Sequence, residues 1–344
     1  MHYGLIMECD YRYGTSQEEA FDEAFAMSDT AEKGGLDGVW LAERHFAAPR
    51  SPLDGLGAGI PSVVSAPLII SAAIVARTER LRVGVAVNVL PLNHPVRMAE
   101  EIATLDQISH GRVDFGVGRS GFMRAYEGYD IPYTESRERF QENLEIILAA
   151  WTNERFSYEG KHYTFNDVCV IPKPYQDPHP PLRMAATTKE TFPQVGKLGY
   201  PVFVGLRGLD RPDLALLLDD YRKAWKDAGH AGEPTTVVRI PTLLADTSEE
   251  AERLSDELLV LARRYFSGRQ GIGSTDAGSA SPETTAEVNL FGTAEEVVDK
   301  IEDLRETYST DEIMFEVNWT SSVPRDVVMN TLRILTDKVI PKFK

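Results

Sequence analysis

The apolar positions between residues 81 and 121 alternate between two periods. Residues 81–90 are rich in Val, Ala and Leu with Gly84 among them, the composition of a strand buried on both faces. Asn93, His94 and Pro95 break that run, and Pro95 suits the first turn of a helix, where a missing N–H leaves no bond unmade. Val96, Ala99, Ile102 and Ala103 then share one helical face, until His110 and Gly111 stop it. Residues 112–117 form a second apolar strand, which completes a βαβ unit.

The same alternation runs along the whole chain. Strands are predicted at residues 3–9, 38–42, 81–90, 112–117, 182–186, 201–205, 236–245 and 312–319, with helical periods between them. Ser16 and Glu19 have capping-box spacing, and Thr247 with Glu250 and Thr293 with Glu296 open later helices. Residues 156–165 read as a hairpin around Glu159 and Gly160, and the Pro-rich residues 172–181 as an extended connection. Strands alternating with helices, with no linker and no longer repeat, predict an α/β fold, a single (β/α)8 barrel over residues 1–344. Insertions are expected at 47–66, 152–181 and 265–291. Residues 267–287 carry no period that could bury a face, so they are expected to be mobile without ligand and to close over the barrel mouth.

Gly116, Gly118 and Gly121 have the GxGxxG spacing of a dinucleotide-binding turn. Such a turn needs a helix to begin at once and an acidic residue about 20 positions on. The next convincing helix starts only near Thr134, so the glycines are read as letting backbone and Arg119 approach a ligand at a strand end.

Composition narrows the function classes. A net charge of −17 without a basic stripe argues against gripping nucleic acid. Two cysteines, Cys9 and Cys169, cannot build a disulfide framework or a multi-cysteine metal site, which points to the cytoplasm. His2, His110, His162, His179 and His230 lack ligand spacing, so no metal is expected. No apolar run reaches membrane-spanning length and the N-terminus lacks a signal-peptide pattern, so neither secretion nor a membrane span is expected.

In a (β/α)8 barrel the chemistry sits at the C-terminal ends of the strands. That rule selects Arg44 and His45 after the second strand, Asn88 on the third and Arg119 after the fourth. It adds Thr187 and Thr188 after the fifth, and Glu316 and Asn318 on the eighth. Arg119 has the fork geometry for a phosphate, and hydroxyls at the following helix start could complete a cradle. Read without a ligand, Arg119 is a surface arginine and the threonines are ordinary caps. Arg44 keeps its charge and could anchor an anion but not exchange protons, whereas His45 can titrate near neutrality or serve as a structural donor. Glu316 reads as a site carboxylate or as a buried partner of Arg44. His94 braces the turn before Pro95.

The segment resembles the bacterial luciferase family of flavin-dependent monooxygenases. The matching residues are Leu90, Pro91, His94, Pro95, Val96 and Arg97, then Leu105, Asp106, Gln107, Ser109, Gly111 and Arg112, then Phe115, Gly116 and Arg119. VWLAERHF near the start and GTAEEVVDKI near the end extend the likeness over nearly the whole chain. It departs from the family at Ser120, usually Gly, and at Gly118, a reactive cysteine in the luciferase large subunit. Ala186 stands where that subunit has a glutamate, and Arg44 where it has the first of two histidines. The resemblance implies that Arg119, Thr187 and Thr191 hold the flavin phosphate, with Thr188 of the same turn a further cofactor-binding candidate. It also implies a cis peptide at Ala86–Val87 that, with Asn88 and Gly118, supports the flavin ring. It assigns His45, Arg44 and Glu316 to the chemistry. The implied activity is a two-component monooxygenase that takes reduced FMN from a separate NAD(P)H:flavin reductase and uses O2 through a flavin hydroperoxide. A homodimer is implied as well. A deazaflavin-dependent oxidoreductase on the same barrel and a non-catalytic flavin-binding protein are the alternatives.

Overall fold

The computed structural model describes residues 1–12, 14–47, 61–205, 211–266, 289–321 and 323–344. Residues 48–60 of the first expected insertion and the expected lid, 267–287, lie outside them. In chain order the first half comprises β1 (His2–Met7), α1 (Gln17–Lys33), β2 (Gly38–Leu41), α2 (Pro67–Arg77), β3 (Arg82–Val85), β4 (Asn88–Val89), α3 (Pro95–Ser109) and β5 (Val113–Gly118). There follow α4 (Met123–Gly128), α5 (Ser136–Thr152), β6 (Phe156–Glu159), β7 (Thr164–Val168), β8 (Leu182–Ala185), α6 (Thr191–Leu198), β9 (Val202–Gly205), α7 (Arg211–Asp227) and β10 (Thr236–Leu244). The last part holds α8 (Ser248–Phe266), β11 (Leu290–Gly292), a helix at Ala294–Tyr308, β12 (Glu312–Glu316) and a helix at Arg325–Ile334.

Eight of these strands close into a parallel barrel in the order β1, β2, β3, β5, β8, β9, β10, β12, with β12 pairing back onto β1. This is the (β/α)8 barrel that the sequence predicts. Local signals set its helices. The Ser16 hydroxyl accepts the Glu19 N–H at 3.1 Å while the Glu19 carboxylate accepts the Ser16 N–H at 2.7 Å, a complete capping box at α1. Pro95 opens α3, and His110, with φ 53°, ends it in the left-handed region.

Three features differ from the sequence reading. The expected strand 81–90 is interrupted, with a cis Ala86–Val87 peptide between β3 and β4. A short helix, α4, precedes the one expected near Thr134. Inside the span read as an insertion, β11 adds a strand parallel to the end of β10. Three residues are too few to show a period, and six barely complete a helical turn and a half.

Alternation along the strands sorts the barrel interior into layers. On β1, Leu5 and Met7 join the large core between sheet and helices, whereas Ile6 packs inside with Trp40, Ala86, Phe203, Val237 and Met314. Trp40 fills the centre because Gly84 leaves it room. A Cβ at Gly84 would lie 2.4 Å from the indole. Below this apolar layer Arg183 reaches Asp114 at 2.7 Å and Glu312 at 2.6 Å, and Arg82 reaches Asp114 at 2.8 Å. Burial alone would raise the Asp114 carboxyl, but Arg183 and Arg82 outweigh it and hold it below its ordinary value. Burial, only partly offset by Arg183, leaves the Glu312 carboxyl raised.

Candidate active site at the barrel mouth

Above the apolar layer the strand ends carry a second charged layer. Arg44 grips Glu8 through two bonds, of 2.7 and 3.0 Å. Arg239 also donates to Glu8 and reaches Glu316 through Nε at 3.0 Å. The buried partner of Glu316 is therefore Arg239 on β10, and the alternative pairing of Glu316 with Arg44 is corrected. Among the described residues Arg44 thus meets its charge on Glu8, which it shares with Arg239. The Arg44 guanidinium also lies 4.3 Å above the ring of Phe122. Neither Glu8 nor Arg239 was selected from sequence. Both sit two positions from their inward-facing neighbours Ile6 and Val237, so strand alternation is the signal that could have found them.

His45 stands beside this ring with both nitrogens engaged. Nε2 lies 2.8 Å from Glu43 Oε1, and Nδ1 lies 3.2 Å from the hydroxyl of Tyr129, a residue just beyond α4. Glu43 is fixed in turn, since the Val89 N–H donates to its other oxygen at 2.8 Å and Asn93 Nδ2 approaches Oε1 at 3.3 Å. A cavity of about 530 Å³ between α2, α3 and the mouth is lined by Glu43, His45, Asn88, Asn93 and Tyr129 among others. A smaller one on the far side of His45 is walled by Arg44, Ser120, Phe122 and Arg124.

Asn88 is buried, and its amide donates to the Gly116 carbonyl at 2.8 Å. Its Oδ1 is buried without a hydrogen-bond partner. The residue follows the cis Ala86–Val87 peptide, and Gly118 accommodates Val87 closely: a Cβ there would fall 2.4 Å from Val87 Cγ2. The glycine spacing on β5 thus serves strand contact.

The remaining candidates leave neighbouring strands at the same height. Val117 pairs with Met184, which sets Arg119 beside Ala186 and the turn that follows. In that turn the Thr191 N–H donates to the Thr188 carbonyl at 2.9 Å and the two hydroxyls lie 2.8 Å apart. Thr187 is exposed. The Glu190 carboxyl is held below its ordinary value by its own backbone N–H and the Thr188 hydroxyl. The Tyr126 hydroxyl donates to the Arg119 carbonyl, and no carboxylate pairs with the Arg119 guanidinium among the described residues. Among the described residues no cluster of His, Cys, Asp and Glu could hold a metal ion, and no helix is long and apolar enough to cross a membrane.

Comparison with known proteins agrees with this architecture. The oxygenase component of a flavin-dependent trigonelline monooxygenase from Acinetobacter baylyi is 23% identical over 346 residues, covering 95% of this chain and 91% of that protein. An FMNH2-dependent dimethylsulfone monooxygenase from Pseudomonas putida is 30% identical over 217 residues, covering 62% of this chain and 58% of that one. The oxygenating constituent of 3,6-diketocamphane monooxygenase from Pseudomonas putida, solved in complex with FMN, superposes with a TM-score of 0.79 at 21% identity over 99% of both chains. The sequence profile of one family, luciferase-like monooxygenase, matches residues 1–311, and the chain belongs to that family.

Proposed function

We propose that this chain is the oxygenase component of a two-component monooxygenase. It is a cytoplasmic homodimer that receives reduced FMN from a separate NAD(P)H:flavin reductase and, with O2, oxygenates a small organic substrate. The observation that carries this reading is the buried, partnerless Oδ1 of Asn88 on β4. An acceptor left bare in a protein interior costs about 1 to 3 kcal/mol, and a flavin ring brings the N–H that would satisfy it. Arg119 with Thr187, Thr188 and Thr191 fits the phosphate, provided the Glu190 carboxylate moves off Thr188. The residues present therefore fit the cofactor.

Bound reduced FMN supplies the electrons and the position at which O2 is activated. The chain's own residues hold and orient it, exclude water and manage protons. Ala86, Val87 and Gly118 would form the wall against which the ring is held. Arg44 and Glu316, ion-paired to Glu8 and Arg239 respectively, form the floor. His45 moves the proton. The relatives named for trigonelline and dimethylsulfone oxygenation support both the flavin and a small substrate. Ile69 on α2 and Ile108 on α3, 73% and 57% exposed, supply the apolar contact for pairing.

Rapid mixing of the chain with reduced FMN and O2 tests the reading. Bound reduced FMN is expected to return to oxidised FMN through a phase that free FMN lacks, and only when O2 is present. Tight binding of a reduced deazaflavin with O2-independent hydride transfer would replace this proposal with the oxidoreductase alternative. Flavin binding without a change in its reaction would reduce the chain to a binding protein.

A further inference from the structure

The His45 ring is held at both ends. Glu43 faces Nε2 at 2.8 Å and the Tyr129 hydroxyl faces Nδ1 at 3.2 Å, leaving no ring nitrogen open to a ligand. The His45 side chain is 7% exposed, whereas Tyr129 is 44% exposed. A proton held by this ring can therefore reach the cavity only through one of its two partners.

Hydrogen-bond chemistry fixes which one. Glu43 takes the Val89 N–H on one oxygen and faces both Asn93 and His45 on the other, so it serves as an acceptor locked in place. In the neutral ring Nε2 then carries the hydrogen, and the Nδ1 lone pair accepts the Tyr129 O–H. Hydroxyl, imidazole and carboxylate stand in the order that couples an outer hydroxyl to a base oriented from behind.

We propose that Tyr129 presents the proton to the ligand at the mouth, with His45 as the exchanging group behind it and Glu43 as the positioning carboxylate. This rests on the flavin-dependent reading above. In delivery, Tyr129 gives its hydroxyl proton to the bound acceptor and takes the Nδ1 proton from a protonated ring. Tyr129 ends neutral, the ring passes from cation to neutral, one proton has moved and no electron has. Water at the exposed edge restores the starting state, and abstraction runs the same steps in reverse. Burial, then the charge of Glu43, hold the Tyr129 phenol above its ordinary value, which keeps it a hydroxyl between transfers. Tyr129, His45 and Asn88 line one cavity. Among the described residues, Arg97, Glu100 and Glu101 line the same cavity, and Arg44, paired with Glu8, and Arg124 of α4 wall the smaller one.

Tyr129→Phe, Glu43→Gln and His45→Ala in the full chain test this with two readouts. In Glu43→Gln the amide oxygen can keep the Val89 N–H while its NH2 replaces the acceptor that faced His45 Nε2. In the ligand-free protein, ring-nitrogen NMR shifts should show the neutral His45 hydrogen on Nε2 in wild type and in Tyr129→Phe, and moved toward Nδ1 in Glu43→Gln. A wild-type ring carrying its hydrogen on Nδ1 would overturn the relay. With reduced FMN and O2, Tyr129→Phe should bind the flavin as wild type does but slow its reoxidation about 100-fold, as His45→Ala does. Glu43→Gln should slow it too, because the ring is no longer held in the tautomer whose Nδ1 accepts the Tyr129 O–H. Wild-type reoxidation by Tyr129→Phe, together with a slow His45→Ala, shows His45 acting alone: the relay fails and the flavin reading stands. A wild-type chain that does not bind reduced FMN sinks the flavin reading and the relay with it.

Discussion

Gly84 has no side chain, yet it decides what the barrel can hold at its centre. Gly84→Ala would set a Cβ 2.4 Å from Trp40, which is packed among Ile6, Phe203 and Met314 and cannot retreat. Overpacking of this kind costs about 1 to 3 kcal/mol. Urea unfolding should show that loss, and Trp40→Phe in the same chain should recover part of it. A neutral Gly84→Ala would mean that the indole is not confined. At the mouth, Arg119→Ala should weaken reduced FMN binding roughly tenfold to a hundredfold, the value of a charge-assisted contact of about 1.5 to 3 kcal/mol. Riboflavin, lacking the phosphate, should bind the variant as it binds wild type, and equal losses for both would make Arg119 a structural residue. Single residues at strand ends were legible in the sequence because fold position selects them. Their partners were not, because Tyr129 lies 84 positions from His45 and Arg239 lies 231 from Glu8.

At the scale of elements, whatever rests on neighbours in sequence was legible. The capping boxes at Ser16–Glu19 and Thr293–Glu296 form as their spacing requires. Short pieces such as β11 and α4 escaped because tertiary contact defines them, not a period. The foot of the barrel shows the same limit: Arg82, Asp114, Arg183 and Glu312 come from four strands, and no local pattern joins them. Asp114→Asn strips both arginines of a shared carboxylate and should destabilise the fold by about 3 to 5 kcal/mol at neutral pH. The sign of its pH dependence follows from the lowered carboxyl. The stabilisation is complete above the ordinary value of 3.8 and disappears as pH falls through the lower folded value. Wild type and variant should therefore converge in stability on acidification, as urea titrations at pH 7 and pH 3 would show, and a constant gap would exclude the linkage. Glu312 acts in the opposite sense, because a raised carboxyl loses folding free energy as pH rises above its ordinary 4.5.

At the scale of the molecule, the barrel was legible because eight repeats of one alternation admit few other closures. The pairing proposed for its copies was not, since Ile69 and Ile108 look like any other apolar residues on a helix. Sedimentation at micromolar concentration should find a dimer, and Ile69→Glu with Ile108→Glu should yield a monomer of unchanged melting temperature. Each partner carries a charge of −17, so added salt should tighten the pairing by screening mutual repulsion. A wild-type monomer would remove the dimer from the proposal. The apolar layer around Trp40 has a consequence of a different kind, for how the enzyme can change. It lies between the ion pairs at the foot, to which Trp40 bonds through Glu312, and those at the mouth, so substitutions at the two ends should add in free energy to within about 0.5 kcal/mol. A mouth reshaped for another substrate then leaves the folding machinery of the foot untouched, and the two halves of one barrel are free to evolve at different rates.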